Sequence, residues 1–286
     1  MFVSIVLNNL TEITLGIILK FELINGVKNN IVEIYDNRNI LKSLVRKELF
    51  GRYKNSLLGF LWNFLSPTIL LIMYFVVFTE IRNVESIENA WVFIGVAIFT
   101  FNFMVSCITG GTSVFINNAT LMKKMYFPKE ILVLSRTISS MIVCMIGNTI
   151  VIIAMILTSY EIVWYYVLYM LPILVLVFIF GVGCIFLLSS LTVYIRDIQF
   201  VLGPMSIALF MLTPMRYMAD QATGLVRDII WYNPLTYYVE IIHDILYWGI
   251  SPNPAYMIMC VLLSASIFCI GYIVFLKLKS GFIKRL

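Results

Sequence analysis

Charge is scarce in this chain. Asp, Glu, Lys and Arg make up 12% of its 286 residues, against 61% hydrophobic residues, roughly half the charged fraction of an ordinary soluble domain. So little charge cannot cover a water-facing surface, and so much apolar residue does not stay unfolded in water; a soluble globular domain and a disordered chain are both excluded. No GxxxxGK[ST] loop and no Gly-Lys dipeptide occurs, so any nucleotide that drives this protein is bound by another chain. The five cysteines, Cys107, Cys144, Cys184, Cys260 and Cys269, sit in apolar runs without CxxC spacing. They read as reduced packing residues, not as a disulfide framework or a metal site. The first twenty residues lack a basic leader and a small-residue cleavage site, and Glu12 interrupts their apolar stretch; a cleaved signal peptide is not expected. The net charge of +5 is too small, and too little interleaved with a soluble scaffold, for nucleic-acid binding.

What the chain does have is long charge-free runs. Six of them, 55–79, 89–122, 137–160, 162–195, 198–215 and 245–276, approach or exceed the roughly 20 helical residues needed to cross a bilayer core. The expected fold is therefore all-α and integral to the membrane, with six transmembrane helices. The fifth run is the shortest and contains Gly203 and Pro204. Residues 229–239 are too few to span yet very apolar, and read as a re-entrant or interfacial segment. Of the 20 Lys and Arg residues, only Arg82, Arg216 and Arg227 fall on the side opposite the amino terminus. By the positive-inside bias the topology is N-in, C-in, and the basic surplus is a property of the cytoplasmic face.

Residues 39–53 differ from a span. At 100° per residue, Ile40, Leu41, Leu44, Val45 and Leu49 share one half of a helix and Lys42, Arg46 and Lys47 the other, with Glu48 intruding on the apolar side and Phe50 on the polar one. Asn37 or Asn39 can cap its start. Such a basic amphipathic helix lies in the headgroup plane, as a topological anchor or a docking element. The expected division is an extension over 1–38, an interfacial helix over 39–54 and a six-span membrane domain over 55–286.

Chemistry is absent where enzymes and ion-coupled carriers need it. No run interior holds Asp, Glu, Lys or His, which disfavours proton or ion coupling, although backbone carbonyls can also bind an ion. The nearest thing to a catalytic constellation is Glu240, His243 and Asp244; Glu240 and His243 are spaced to share a helix face, but two or three such groups make neither a metal site nor an active site. No catalytic or metal residue is expected. The loop 116–130 mixes two lysines with Leu121, Met122, Met125 and Phe127, apolar side chains suited to a groove on a cytoplasmic partner.

Several stretches in order then become recognisable: Arg52-Tyr53-Lys54-Asn55-Ser56-Leu57-Leu58-Gly59-Phe60-Leu61-Trp62 followed by Ser66-Pro67; Asn118-Ala119-Thr120-Leu121-Met122-Lys123-Lys124 with Tyr126-Phe127-Pro128; Tyr194-Ile195-Arg196-Asp197-Ile198; and Thr213-Pro214-Met215 with Tyr217, then Tyr232-Asn233-Pro234-Leu235. Together they resemble the membrane permease subunit of ABC exporters of polysaccharides and polyol phosphates (O-antigen, capsule, teichoic acid), with Thr213 where that family often has Ser. The resemblance implies a homodimer of six-span subunits in the plasma membrane. Each subunit would bind a separate ATPase that carries the ATP and Mg, this chain needing no cofactor, and the substrate would be a lipid-linked glycan.

It further implies a substrate entrance at Arg52, Lys54, Leu58, Gly59 and Trp62. Coupling to the ATPase would fall to Asn118, Leu121, Met122, Lys123, Lys124, Phe127 and Pro128, and the cytoplasmic loop to Tyr194, Arg196 and Asp197. The outer gate would involve Pro214, Tyr217, Asn233 and Pro234. Gly59 suits a sharp bend ahead of the first span. Arg52 and Lys54 suit a passing lipid diphosphate, or are simply the basic collar of a span end. Phe64, Tyr74, Phe99 and Phe103 are candidate conduit aromatics, with belts, lipid contacts and packing as their other uses. Two other readings stay open: an ABC permease for a drug or simple lipid, and a membrane enzyme acting on lipid-linked sugars.

Overall fold

The structure, a computed structural model, describes residues 32–51, 56–80, 89–219 and 222–286. All regular structure among these residues is helical. An amphipathic helix α1 (Arg38–Gly51) precedes α2 (Trp62–Glu80) and α3 (Ala90–Thr109); two short helices, α4 (Val114–Asn117) and α5 (Ala119–Lys124), lead to α6 (Glu130–Leu157). After one turn, α7 (Trp164–Val167), come α8 (Met170–Tyr194) and α9 (Ile198–Leu212). Two short helices, α10 (Gly224–Tyr232) and α11 (Pro234–Ile242), and a π turn over His243–Tyr247 then precede α12 (Pro254–Leu278) and a final helical turn α13 (Phe282–Arg285).

Four segments are long and apolar enough to cross a membrane: Ala90–Thr109, Glu130–Leu157, Trp164–Tyr194 and Pro254–Arg285. The first and fifth predicted runs are helical as well, but α9 has 15 residues. At about 1.5 Å per residue it falls short of a bilayer core of about 30 Å.

Helix α3 is the hub. Residues from Trp91 to Phe101 are all buried, as expected of a helix that is apolar all round, and α2, α6, α8, α9, α11 and the π turn pack around it. Helix α8 packs along α12. At their crossing Gly183 and Gly271 face one another. A Cβ on Gly183 would lie 2.6 Å from the Phe268 backbone nitrogen, and one on Gly271 would strike the Gly183 carbonyl oxygen. Small residues let membrane helices approach to backbone contact, and Ser264 Oγ adds a 2.9 Å bond to the Leu176 carbonyl across the same pair.

Several boundaries differ from the sequence reading, each for a local reason. The run 89–122 is not one helix: α3 stops at Thr109, and a Cβ at Gly111 just beyond it would strike the Cys107 carbonyl oxygen. The remainder becomes α4 and α5. Helix α6 begins at Glu130, ahead of the predicted 137, because its two charged residues find partners: Glu130 with Lys279 at 3.3 Å and Arg136 with Glu48 at 3.0 Å. The sixth run loses its first residues to the π turn and an Asn253-capped restart at Pro254.

Helix α1 runs close to its predicted range, but its stripe packs along α6 instead of facing lipid alone. That settles the apparent misplacement of Glu48: it lies on the inward face because Arg136 is there. Neither asparagine caps α1 through its side chain; Asn37 Nδ2 donates back to the Glu33 carbonyl at 2.8 Å.

Candidate functional site

Three regions gather the predicted residues. The first is a groove of about 270 Å³ between α1, α2, α3 and α6. Trp62, Phe99 and Phe103 supply its rings; Ser66, Asn102, Ser106, Ser139 and Ser140 line it with hydroxyl and amide groups, and Glu48 stands at its α1 side. Tertiary structure thus joins a predicted entrance residue to two predicted conduit aromatics. The two phenylalanines are nonetheless held as packing elements: the Phe99 ring lies on Gly147 and the Phe103 ring on Gly181, at positions where a Cβ would collide. Phe101, on the far side of α3, packs on Phe210 with ring centroids 5.7 Å apart.

Gly59 adopts φ +43°, the left-handed conformation that favours glycine, and turns the chain into the short 3-10 segment ahead of α2. Leu58 beside it is exposed, and Trp62 Nε1 donates to Ser56 Oγ at 2.9 Å. Phe64 is exposed and does not line the groove. Arg52, Lys54 and the Tyr74 side chain lie outside the described residues.

The second region is the basic end of the molecule, where α4, α5 and the extended segment to Pro128 form a protruding elbow. Met122 and Phe127 are buried, so neither offers its side chain to a partner; they anchor the elbow. Lys123, Lys124 and Met125 are exposed, Leu121 and Pro128 half-buried, and Tyr126 stands 98% exposed at the tip. Helical periodicity does not distinguish Tyr126 from its neighbours; its exposure follows from the chain becoming extended at Met125.

Two ties hold this elbow to the bundle. Asn118 donates from Nδ2 to the Val114 carbonyl at 2.9 Å and accepts through Oδ1 from Lys47 Nζ of α1 at 3.2 Å. Lys129 Nζ donates to the Lys279 carbonyl at the end of α12 at 2.7 Å. Burial, then the Lys279 ammonium, hold Lys129 below the usual lysine range, against the opposing pull of Glu130. Beneath the elbow, Phe282 is fully buried against Phe115, Phe275 and Tyr194.

From the predicted cytoplasmic loop, Tyr194 donates to the Leu278 carbonyl at 3.1 Å and carries the Arg285 guanidinium over its ring at 4.5 Å. Arg196 and Asp197 are exposed. The loop is thus partly structural: Tyr194 fastens the end of α12, while its two charged neighbours face outward.

The third region is the opposite end. The Thr-Pro and Asn-Pro motifs, far apart in sequence, meet there: Asn233 Nδ2 donates to Thr213 Oγ1 at 2.9 Å, and Asn233 Oδ1 accepts from the Leu235 N–H at 3.1 Å to cap α11. Thr213 in turn donates to the Leu209 carbonyl at 2.7 Å. A hydroxyl is what the junction needs, so Thr serves where Ser would. Pro214 is buried, and Pro234 occupies the first turn of α11, where a missing N–H costs nothing. Tyr217 donates to the Met211 carbonyl at 3.2 Å; burial pushes its phenol up, Arg216 opposes that and the Glu240 carboxylate adds to it. Asn233→Ala removes the cap and strands a buried partner, with an expected loss of about 1–3 kcal/mol. A lower thermal midpoint of the purified protein would show it, whereas Asn233→Asp, which keeps the capping oxygen, should lose less.

The Glu240, His243 and Asp244 grouping does not hold. His243 is buried, its ring stacked on Phe93 at 3.7 Å and its Nε2 bonded to the Phe93 carbonyl at 3.0 Å. Glu240 and Asp244 instead share a cavity that His243 does not line. Spacing alone placed Glu240 with His243; the turn from α11 into the π segment pairs it with Asp244. Among the described residues no three His, Cys, Asp or Glu side chains come together as a metal site.

The model of the ABC-2 type transporter family matches residues 40–247. The chain belongs to that family. It is 28% identical over 258 residues to the O-antigen export system permease protein RfbA of Klebsiella pneumoniae, covering 90% of this chain and 97% of that one. It is also 28% identical over 186 residues to the protein of the same name from Myxococcus xanthus, covering 65% of this chain and 70% of the relative. The match of this ABC-2 family member to the family model thus runs from α1 to the π turn.

Proposed function

We propose that the chain is the permease subunit of an ABC exporter that moves a lipid-linked polysaccharide across the plasma membrane. The observation that carries this reading is likeness to the Klebsiella O-antigen export permease over 97% of its length, together with a basic, structured elbow that no enzyme chemistry explains. In this reading all six helices α2, α3, α6, α8, α9 and α12 cross the membrane, N-in and C-in, and α9 reaches full thickness with the flanking Thr-Pro segment. Residues 39–54 form the interfacial helix and 55–286 the permease domain. Two copies enclose the path, and an ATPase pair binds ATP and Mg beneath them.

The arrangement supports a task for each part. Lys123, Lys124 and Tyr126 meet the ATPase; Asn118 and Lys47 pass its displacement to α1; and α1, which carries Glu48 and Leu49 into the groove wall, acts on the mouth where Trp62 and Phe103 face a sugar. Rings let a pyranose slide without fixed bonds, and the serine hydroxyls exchange hydrogen bonds with successive residues. A tagged chain isolated from native membranes should bring down an ATPase whose turnover rises with lipid-linked glycan, and its deletion should leave that polymer on the cytoplasmic side. Isolation with no ATPase would overturn the reading.

A further inference from the structure

Residues beyond α12 are not needed to cross a membrane: its 25 residues already make a helix of about 37 Å, longer than a bilayer core of about 30 Å. The 3-10 turn Lys279–Gly281 nevertheless leads the chain into α13, which packs on α5 of the elbow and on α8. Gly281 lets this turn close, since a Cβ there would strike the Tyr194 hydroxyl. Phe282 is fully buried and meets three elements at once, with ring-centroid distances of 4.8 Å to Phe115 of α4, 6.0 Å to Phe275 of α12 and 6.5 Å to Tyr194 of α8. Lys129, at the entry to α6, holds its ammonium 5.4 Å from the centre of the same ring, a favourable place for a cation, while donating to the Lys279 carbonyl. Lys279 Nζ reaches back to Glu130 of α6 at 3.3 Å.

Helix α8 bears in turn on the groove. The Phe103 ring, which lines the groove, lies on Gly181 of α8, its Cζ 2.9 Å from where a Cβ would stand. Close-packed interiors transmit displacement instead of absorbing it, and the backbone contact of Gly183 with Gly271 makes α8 and α12 shift together. We propose that Phe282 and Lys129 are positioning residues for export: they clamp the elbow to the ends of α8 and α12, so that displacement of the elbow by the ATPase moves Phe103 in the groove wall. The proposal rests on the export reading for the ATPase. It adds to the Asn118–Lys47 link, which reaches the groove through α1, a second link that reaches it from the α3 side. With the clamp broken, ATP is still hydrolysed but only part of the groove wall follows. Neither residue belongs to the docking surface: Phe282 is buried and Lys129 half-buried, whereas Lys123, Lys124 and Tyr126 are exposed.

Surface polymer in a deletion strain carrying each variant, read together with ATPase capture and ATP turnover of the complex isolated from that strain, tests the clamp. Lys129→Met keeps the aliphatic stem and removes the ammonium; Phe282→Leu keeps an apolar filling and removes the ring. Both should capture the ATPase within about twofold of normal and keep its turnover, while polymer exported per ATP falls at least about fivefold, the lower end of ordinary coupling between sites. Lys129→Arg restores a cation and a donor and should recover most of that loss. A merely structural fault would lower capture, turnover and export together. Lys129→Met decides the matter if Phe282→Leu folds poorly, because the lysine is only half-buried. Normal export per ATP in either variant, loss of export in step with ATPase capture, or no recovery with Lys129→Arg would each overturn the clamp. An unaltered chain that captures no ATPase overturns the export reading; one that captures it and exports, while Lys129→Met stays fully coupled, overturns the clamp alone.

Discussion

Gly271→Leu should abolish the folded permease. A side chain at residue 271 has to displace the Gly183 carbonyl, and that atom belongs to a helix, not to a flexible side chain that can swing aside. Overpacking of ordinary cores costs about 1–3 kcal/mol. Here the backbone itself must move and would pull on the 2.9 Å Ser264–Leu176 bond at the same interface, so a loss of at least about 3 kcal/mol is expected, against a total stability of about 5–15 kcal/mol. Fluorescence-detected size exclusion of a tagged protein should show the monodisperse peak fall to a few per cent or less, and Gly183→Leu should behave alike. Gly203→Ala is the control, because nothing lies within 4 Å of the Cβ it adds; its peak should be near normal. A normal peak for Gly271→Leu would mean that α8 and α12 do not cross in backbone contact.

The second large effect concerns the elbow. Replacing Tyr126 by Ala and reversing Lys123 and Lys124 to Glu should leave insertion and folding intact, because all three side chains are exposed. Aromatic anchors at protein interfaces carry about 2 kcal/mol or more each, so Tyr126→Ala alone should weaken ATPase capture about thirtyfold, and the triple variant should stop export. Phe127→Ala should act differently. It empties a buried anchor, with an expected cost of about 3–5 kcal/mol, so it should lower stability before it uncouples anything. Capture assays and thermal melts on the same preparations separate the two. Unchanged ATPase capture by the triple variant would remove residues 117–128 from the coupling role.

These two predictions draw on different kinds of information. The elbow was legible as a mixture of lysines and apolar residues, and the family resemblance marked its range, but the division of labour was not. Met122 and Phe127 read as partner-facing until the chain's extension at Met125 turned Phe127 inward and Tyr126 outward. Glu48 is similar. On a wheel it is an error in the apolar stripe of α1; with Arg136 of α6 opposite, 88 residues away, it is half of a shielded ion pair. Removing one partner of such a pair exposes the other to the cost of an uncompensated, partly buried charge.

Composition and local pattern were enough to establish that this is a helical membrane protein, where its apolar stretches lie and which segments are basic. Those properties depend on the solvent preference of side chains and on nearest neighbours along a helix, which a linear sequence displays directly. Only the tertiary structure decided that Gly183 and Gly271 meet where α8 and α12 cross, that Thr213 and Asn233 join the two outer motifs, and that Glu240 shares a cavity with Asp244 while His243 points into the core. In each case the partners are brought together by helix packing across the chain or by the break between short helices. No periodicity along one helix carries the information of which face another helix will cover.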